Sequence, residues 1–229
     1  MENRNLHSGG TNVLTVDGVA RVPGLGDSET VSDARWAHLD GVGGYVFPSG
    51  AEVKLLREAR TGAWRDINTG GPTGAITRRY LTMWLDHGVD PSAASYSYLL
   101  APGATAAQTK ALSRDPGMLV LGNSAKRQAV AHLGLGLTLA NFWEPDQIGG
   151  IVAHNPCSVI RQIHGRTVEL GVSDPTQLAT SLRLQLLAPG ARLTSADDGV
   201  TVRRTLLGAD VTIDVTGAAG ATRYVTLQL

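Results

Sequence analysis

The stretch YLTMWLDHGVDPSAASYSYLL, Tyr80–Leu100, decides how this chain is read. Its first part alternates. Tyr80, Thr82, Trp84 and Asp86 fall on one face of an extended strand, and Leu81, Met83, Leu85 and His87 on the other. GVDPSAA then supplies a loop, and SYSYLLAP returns, so the segment predicts one long β-hairpin closed by Pro102. Asp86 beside His87, in a run of aromatics, also has the look of a catalytic dyad. Alternation argues against it. Neighbours on a regular strand point to opposite faces, so Asp86 cannot orient the His87 imidazole as a triad carboxylate does. The expected roles are structural: Asp86 accepts backbone N–H groups in the following turn, and His87 packs at the strand end.

The same period of two recurs on both sides. TNVLTVDG reads as a strand ending in a turn at Asp17-Gly18. GGYVFPSGAEVKLLREA reads as two strands around the turn Pro48-Ser49-Gly50. Residues 103–117, GATAAQTKALSRDPG, break the pattern. This stretch is Ala-rich, Thr105 is placed to cap a short helix, and Pro116-Gly117 ends it. Strands then resume in MLVLGN, RQAVAHLG, LGLTLANFW, SLRLQLLAPG and TRYVTLQL. CSVIRQIHGRTVELGVSDP reads as a hairpin turning at His164-Gly165, and GVTVRRTLLGADVTIDVTG adds further strand sequence. Strands spaced by roughly 8–12 residues predict a β-sandwich. The expected organisation is all-β: residues 1–104, a linker with a short helix at 105–117, and a second domain at 118–229.

Composition bounds the function. The chain has 229 residues, 42% of them hydrophobic and 17% charged, which suits a globular core. Twenty Lys+Arg balance twenty Asp+Glu, so no global field draws a polyanion, and nucleic acid is not an expected partner. Cys157 is the single cysteine, which excludes an internal disulfide and a Cys-based zinc site. No apolar run reaches the ~18 residues of a membrane-spanning helix, so no membrane association is expected. The start, MENRNLHSGG, lacks an apolar signal-peptide core; if the parent protein is exported, its signal lies outside this chain.

Catalytic motifs are missing as well. The six histidines, His7, His38, His87, His132, His154 and His164, show no close ligand spacing. There is no G-x-S-x-G and no P-loop, and HLGLGLT lies among strands rather than opening a helix. No metal or other cofactor is expected; calcium is conceivable at the acidic turn Asp197-Asp198-Gly199, which reads more simply as a solvated turn. Trp36, Trp64, Trp84, Trp143, Tyr45, Tyr80, Tyr96 and Tyr98 are expected mostly to fill the space between sheets. RTGAWRDINTGGPTG, Arg60–Gly74, is loop-like and is the favoured place for a functional contact, with Trp64, Arg65 and Asn68 as candidate substrate-binding residues.

Five motifs in series carry a resemblance: ENRNL at the start, WAHLDGVGGYVFP at Trp36–Pro48, RTGAWRDIN at Arg60–Asn68, YLTMWLDHGVDPSAASYSYLLAPGA at Tyr80–Ala104 and VELGVSDPTQ at Val168–Gln177. Together they resemble the β-domains of polysaccharide lyase family 8, which includes hyaluronate, chondroitin AC and xanthan lyases. The resemblance implies that residues 1–104 are the second part of an antiparallel super-sandwich and 118–229 the smaller C-terminal β-sandwich. It implies a secreted enzyme that cleaves uronic-acid-containing glycans by β-elimination, with an acidic polysaccharide and an N-terminal α/α toroid as partners. That family's catalytic Asn, His, Tyr and Arg sit on the toroid, and a Glu comes from the early β region. None of those motifs occurs here, so no catalytic residue is carried over. His87 and Tyr96 are of suitable type but lie outside the motifs. The chain is therefore expected to wall a cleft and support the toroid without catalysing, and, by itself, to associate through exposed edges. The competing expectation is a non-catalytic carbohydrate-binding or adhesion module.

Overall fold

A computed structural model describes residues 1–6 and 12–229; His7 lies outside the described residues. The chain divides into two units, Met1–Pro116 and Gly117–Leu229.

The first unit is one seven-stranded antiparallel sheet and a helix. Its strands are β1 (Glu2–Asn5), β2 (Leu14–Val16), β3 (Val19–Arg21), β4 (Ser28–Leu39), β5 (Gly43–Gly62), β6 (Ile76–Trp84) and β7 (Leu99–Pro102), with α1 at Ala106–Arg114. The sheet runs β1-β6-β5-β4-β2-β3, and β7 joins it on β5. β2 and β3 turn through Asp17-Gly18 at φ +50° and +88°, the conformation whose twist matches a two-residue hairpin. The Asp17 carboxylate also accepts the Arg35 and Trp36 backbone N–H groups at 3.0–3.1 Å, which ties the turn to β4. Leu81 and Met83 are fully buried with Leu14, Leu39, Tyr45, Phe47, Val53 and Leu55. Their partners in alternation, Tyr80, Thr82 and Trp84, are half-buried on the opposite face, as the period of two requires.

Two sequence expectations fail in this unit. β6 and β7 do not form a hairpin. Both edges of β6 are taken, by β5 on one side and by β1 on the other, with Glu2 opposite Met83. β7 instead pairs with the start of β5, Gly43 opposite Pro102. The expected turn at Pro48-Ser49-Gly50 is likewise absent. β5 runs unbroken for 20 residues. It absorbs the extra residues as a bulge, since Trp36 faces Val46 whereas Ala34 faces Ala51.

The helix begins where Thr105 predicts. Its hydroxyl accepts the Gln108 N–H at 3.2 Å, and Gln108 Oε1 accepts the Thr105 N–H at 2.8 Å, a reciprocal cap. Within the segment expected as a linker with a short helix, the helix packs on the first unit's sheet. α1 lies against β4 and β5, with Thr109 fully buried. Gly44 permits this approach: a Cβ there would stand 2.1 Å from Thr109 Oγ1.

The second unit is a sandwich. One sheet comprises β8 (Met118–Asn123), β9 (Arg127–His132), β10 (Leu137–Phe142), β13 (Cys157–His164), β14 (Thr167–Ser173), β16 (Arg192–Ala196) and β19 (Arg223–Gln228). Its order is β16-β19-β14-β13-β10-β9-β8. The other, in order β11-β12-β15-β18-β17, comprises β11 (Asp146–Ile148), β12 (Ile151–Ala153), β15 (Ser181–Leu187), β17 (Val200–Arg204) and β18 (Gly208–Asp214). Phe142, Val159, Leu170 and Leu227 from the first sheet share one core with Ile151, Leu182, Leu184, Val211 and Ile213 from the second. The β13–β14 hairpin turns through Gly165-Arg166, one residue later than expected, because His164 still pairs with Thr167. Arg161 crosses between the sheets. It donates to the Gly149 carbonyl and, at 3.0 Å, to Thr138 Oγ1.

Candidate functional site

The predicted contact residues lie on the loop that closes the β5–β6 hairpin. Gly62 and Ile76 are its last paired residues. A single 3-10 turn, Trp64–Asp66, opens the loop. The Ala63 N–H donates to Asp66 Oδ2 at 2.7 Å. The Arg65 N–H donates to the Pro72 carbonyl at 3.2 Å, and the Gly71 N–H to the Asn68 carbonyl at 2.8 Å. These bonds give the loop its own framework, and it holds Trp64 56% exposed instead of letting it plug the edge of the core. Arg65 and Asn68 are exposed on the same loop. Asn68 Oδ1 accepts the Gly70 N–H at 3.1 Å, so its carbonyl serves the turn and its amide N–H groups face outward as donors.

Asp86 and His87 do not form a dyad, and the strand ends before them. Asp86 pairs with Lys54 Nζ at 2.6 Å and accepts the Gly88 N–H at 2.9 Å. The Lys54 contact, then the Gly88 bond, holds its carboxyl below the usual range. His87 leaves the strand end and stacks on Tyr96, with ring centroids 6.0 Å apart; Tyr96 stacks on Tyr98 at 6.3 Å. This exposed ladder of three rings is absent from the sequence reading. Its one available signal is the Y-x-Y spacing, which puts Tyr96 and Tyr98 on one side of an extended segment.

The ladder and the Trp64 loop stand beyond opposite ends of β6, a strand of 9 residues about 26 Å long at ~3.3 Å per residue. Between them, Arg60 lies 4.6 Å over the Tyr80 ring. It donates to Asn3 Oδ1 at 3.0 Å and Thr82 Oγ1 at 3.1 Å and pairs with Glu58 at 2.6 Å, so its fork is filled by the protein. The aromatics as a set depart from expectation. Trp36 and Tyr45 are buried, Tyr80 and Trp84 are half-buried, and Trp64, Trp143, Tyr96 and Tyr98 are exposed. All four lie outside the strands, on the segments that connect them.

The remaining candidates are structural. Cys157 is buried, and burial, helped by Asp174, pushes its thiol up to about 12, far from a nucleophilic thiolate. Burial works to raise Asp174, but bonds from Thr176 Oγ1 at 2.6 Å and from the Thr176 and Ala179 N–H groups at 2.8 Å hold its carboxyl below the usual range. The motif VELGVSDPTQ thus encodes most of β14 and an exposed turn anchored by the buried Asp174 carboxylate. At Asp197-Asp198-Gly199, Asp197 Oδ2 accepts the Tyr224 N–H at 2.8 Å. Among the described residues, no three His, Cys, Asp or Glu side chains gather as a metal-holding group.

Comparison with known proteins agrees along the whole chain. The model for polysaccharide lyase family 8, super-sandwich domain, matches residues 1–113, and that for the family's C-terminal beta-sandwich domain matches residues 119–183. The whole chain is 42% identical to a hyaluronate lyase of Thermasporomyces composti and 39% identical to a xanthan lyase of Bacillus sp. (strain GL1). It spans 30% and 26% of those proteins. The solved structure of Paenibacillus xanthan lyase superposes on all of it with a TM-score of 0.95 at 34% identity, using 23% of that chain. Streptomyces coelicolor A3 chondroitin AC lyase in complex with chondroitin sulphate superposes over 100% of this chain and 28% of its own, with a TM-score of 0.84 at 38% identity.

Proposed function

This chain belongs to polysaccharide lyase family 8, and we propose that it serves as the β-sandwich portion of a secreted lyase that depolymerises a uronic-acid-containing glycan by β-elimination. In this reading it supports a helical catalytic domain and lines one wall of the glycan cleft, and it carries no catalytic group of its own. The observation that supports a wall is the fate of the chain's sharpest candidate dyad: Asp86 is committed to Lys54 and the Gly88 N–H, and His87 to a ring stack. What the first unit does present outward is binding chemistry, a fixed exposed Trp64 with Arg65 and the Asn68 amide beside it. Apolar faces of pyranose rings pack on an indole, and an Arg fork takes a carboxylate.

The test is to incubate the purified chain with hyaluronan, chondroitin and xanthan and to follow the absorbance of the unsaturated uronate product. No turnover is expected, and any turnover sinks the non-catalytic assignment. In the same preparation, Trp64→Ala should weaken glycan binding about ten-fold, the scale of truncating an exposed aromatic anchor, without changing the circular dichroism spectrum. Binding unchanged in that variant rules out the Trp64 loop as a contact.

A further inference from the structure

The outer face of the five-stranded sheet in the second unit holds an open concavity of about 660 Å³. Register explains its lining. Arg183, Thr212 and Thr201 lie side by side across β15, β18 and β17, and Gln185, Asp210 and Arg203 form the next row. His154 stands beside Arg183, its N–H donating to the Arg183 carbonyl at 3.0 Å. The groups in the two rows differ in how they are used. Asp210 is fully engaged, accepting from Arg203 Nη2 at 2.6 Å and Gln185 Nε2 at 3.1 Å. The Arg183 guanidinium makes no hydrogen bond or ion pair among the described residues and is exposed. With Asp210 offsetting Arg203, one positive charge in the concavity is left uncompensated, flanked by two threonine hydroxyls.

That pattern contrasts with Arg60 in the first unit, whose donors are taken up by protein groups. A free guanidinium on a rigid strand is pre-organised for a planar carboxylate. Five strands at ~4.8 Å spacing make the face about 19 Å wide, room for a short stretch of polymer. We propose that this concavity is a second binding site for an acidic polysaccharide, in which Arg183 grips a uronate carboxylate and Thr201, Thr212 and Gln185 bond sugar hydroxyls. The inference rests on the acidic-glycan reading above. Weak binding here raises the effective concentration of one polymer for any other glycan site on the same chain.

The experiment titrates the full 229-residue chain with hyaluronan oligosaccharides of uniform length at low salt, by calorimetry and by amide chemical shifts. A carboxyl-reduced version of the same oligosaccharide serves as the neutral probe. Wild type should bind the acidic form, with shifts at Thr201 and Thr212, and should bind the neutral form far more weakly. Arg183→Ala should lose about ten-fold in affinity, and Arg183→Lys should keep part of it, with an unchanged circular dichroism spectrum in both. Equal binding of acidic and neutral probes overturns the proposal. Wild-type affinity in Arg183→Ala alongside loss in Trp64→Ala also overturns it, and leaves the glycan-wall reading standing. No binding by wild type overturns both binding claims, while the family's chemistry is judged separately by uronate release.

Discussion

Replacing Gly208 by Ala should unfold most of the C-terminal unit. Gly208 sits at φ +145°, a region open in practice to glycine alone. The geometry around it leaves no room for a methyl group: a Cβ would stand 2.0 Å from the Leu186 carbonyl oxygen and 2.5 Å from the Ala188 N. Both are backbone atoms of or next to β15, so no side-chain rotation relieves the clash. Gly208 also pairs with Leu187 and closes the β17–β18 turn, with the Thr205 N–H donating to its carbonyl at 2.8 Å. Relief requires breaking the β15–β18 register at the edge of the core that holds Leu186 and Ala209. The cost is about 3–5 kcal/mol, comparable with the whole stability of a small domain. Hydrogen exchange should show peptides from β15 and β18 losing protection; protection equal to wild type refutes the argument.

Arg57→Ala should be the most damaging change in the first unit away from its apolar core. Arg57 is 3% exposed on the core side of β5. Its Nε donates to the Val22 carbonyl and its Nη2 to the Asn12 carbonyl, both at 2.7 Å. Burial lowers the guanidinium's pKa, and Asp27 opposes that shift. Val22 is a β-branched residue at φ +40°, a strained conformation that survives only where its surroundings hold it. Removing the guanidinium removes what holds Val22 in that conformation and leaves the Val22 and Asn12 carbonyls without their donor, at a net cost of about 3 kcal/mol. Arg57→Met, which restores volume but not donors, should recover less than half of the loss. The urea midpoint should fall in both variants, and trypsin should cut after Arg21 faster than in wild type. A midpoint that stays put in Arg57→Ala would mean that other bonds hold the Asn12–Asp27 segment.

Much of the architecture was legible because its causes are local. The alternation through Tyr80–Trp84 does not depend on what the strand pairs with, and neither does the Thr105–Gln108 cap. The Asp17-Gly18 turn is a two-residue matter. The same holds for the strands of the second unit, each a short apolar alternation between turn residues. The candidate loop was legible in part. Its Gly, Asn and Pro content marks Arg60–Gly74 as loop-like, although β5 runs on through Gly62, and exposure of Trp64 follows from the loop's internal bonds, which sequence spacing does not display.

What failed was everything settled between distant segments. Tyr80–Leu100 reads as a hairpin when taken alone, since nothing within it announces that β1, some eighty residues earlier, occupies the free edge of β6. With that edge filled, β7 pairs along β5, and residues 85–98 become the irregular path between two places on one strand. Asp86 then meets Lys54 and His87 meets Tyr96. The charge on Arg183 is a tertiary outcome of the same kind, left free because Arg203 and Gln185 are the groups that reach Asp210. By itself the sequence determined most of the strand segments, which face of each is apolar, and the family, because side-chain period, turn chemistry and motif order are properties of short segments. Tertiary structure alone decided which edges pair, which aromatics stay in water and which charges remain unpaired, because each depends on competition among groups that the chain brings together only when it folds.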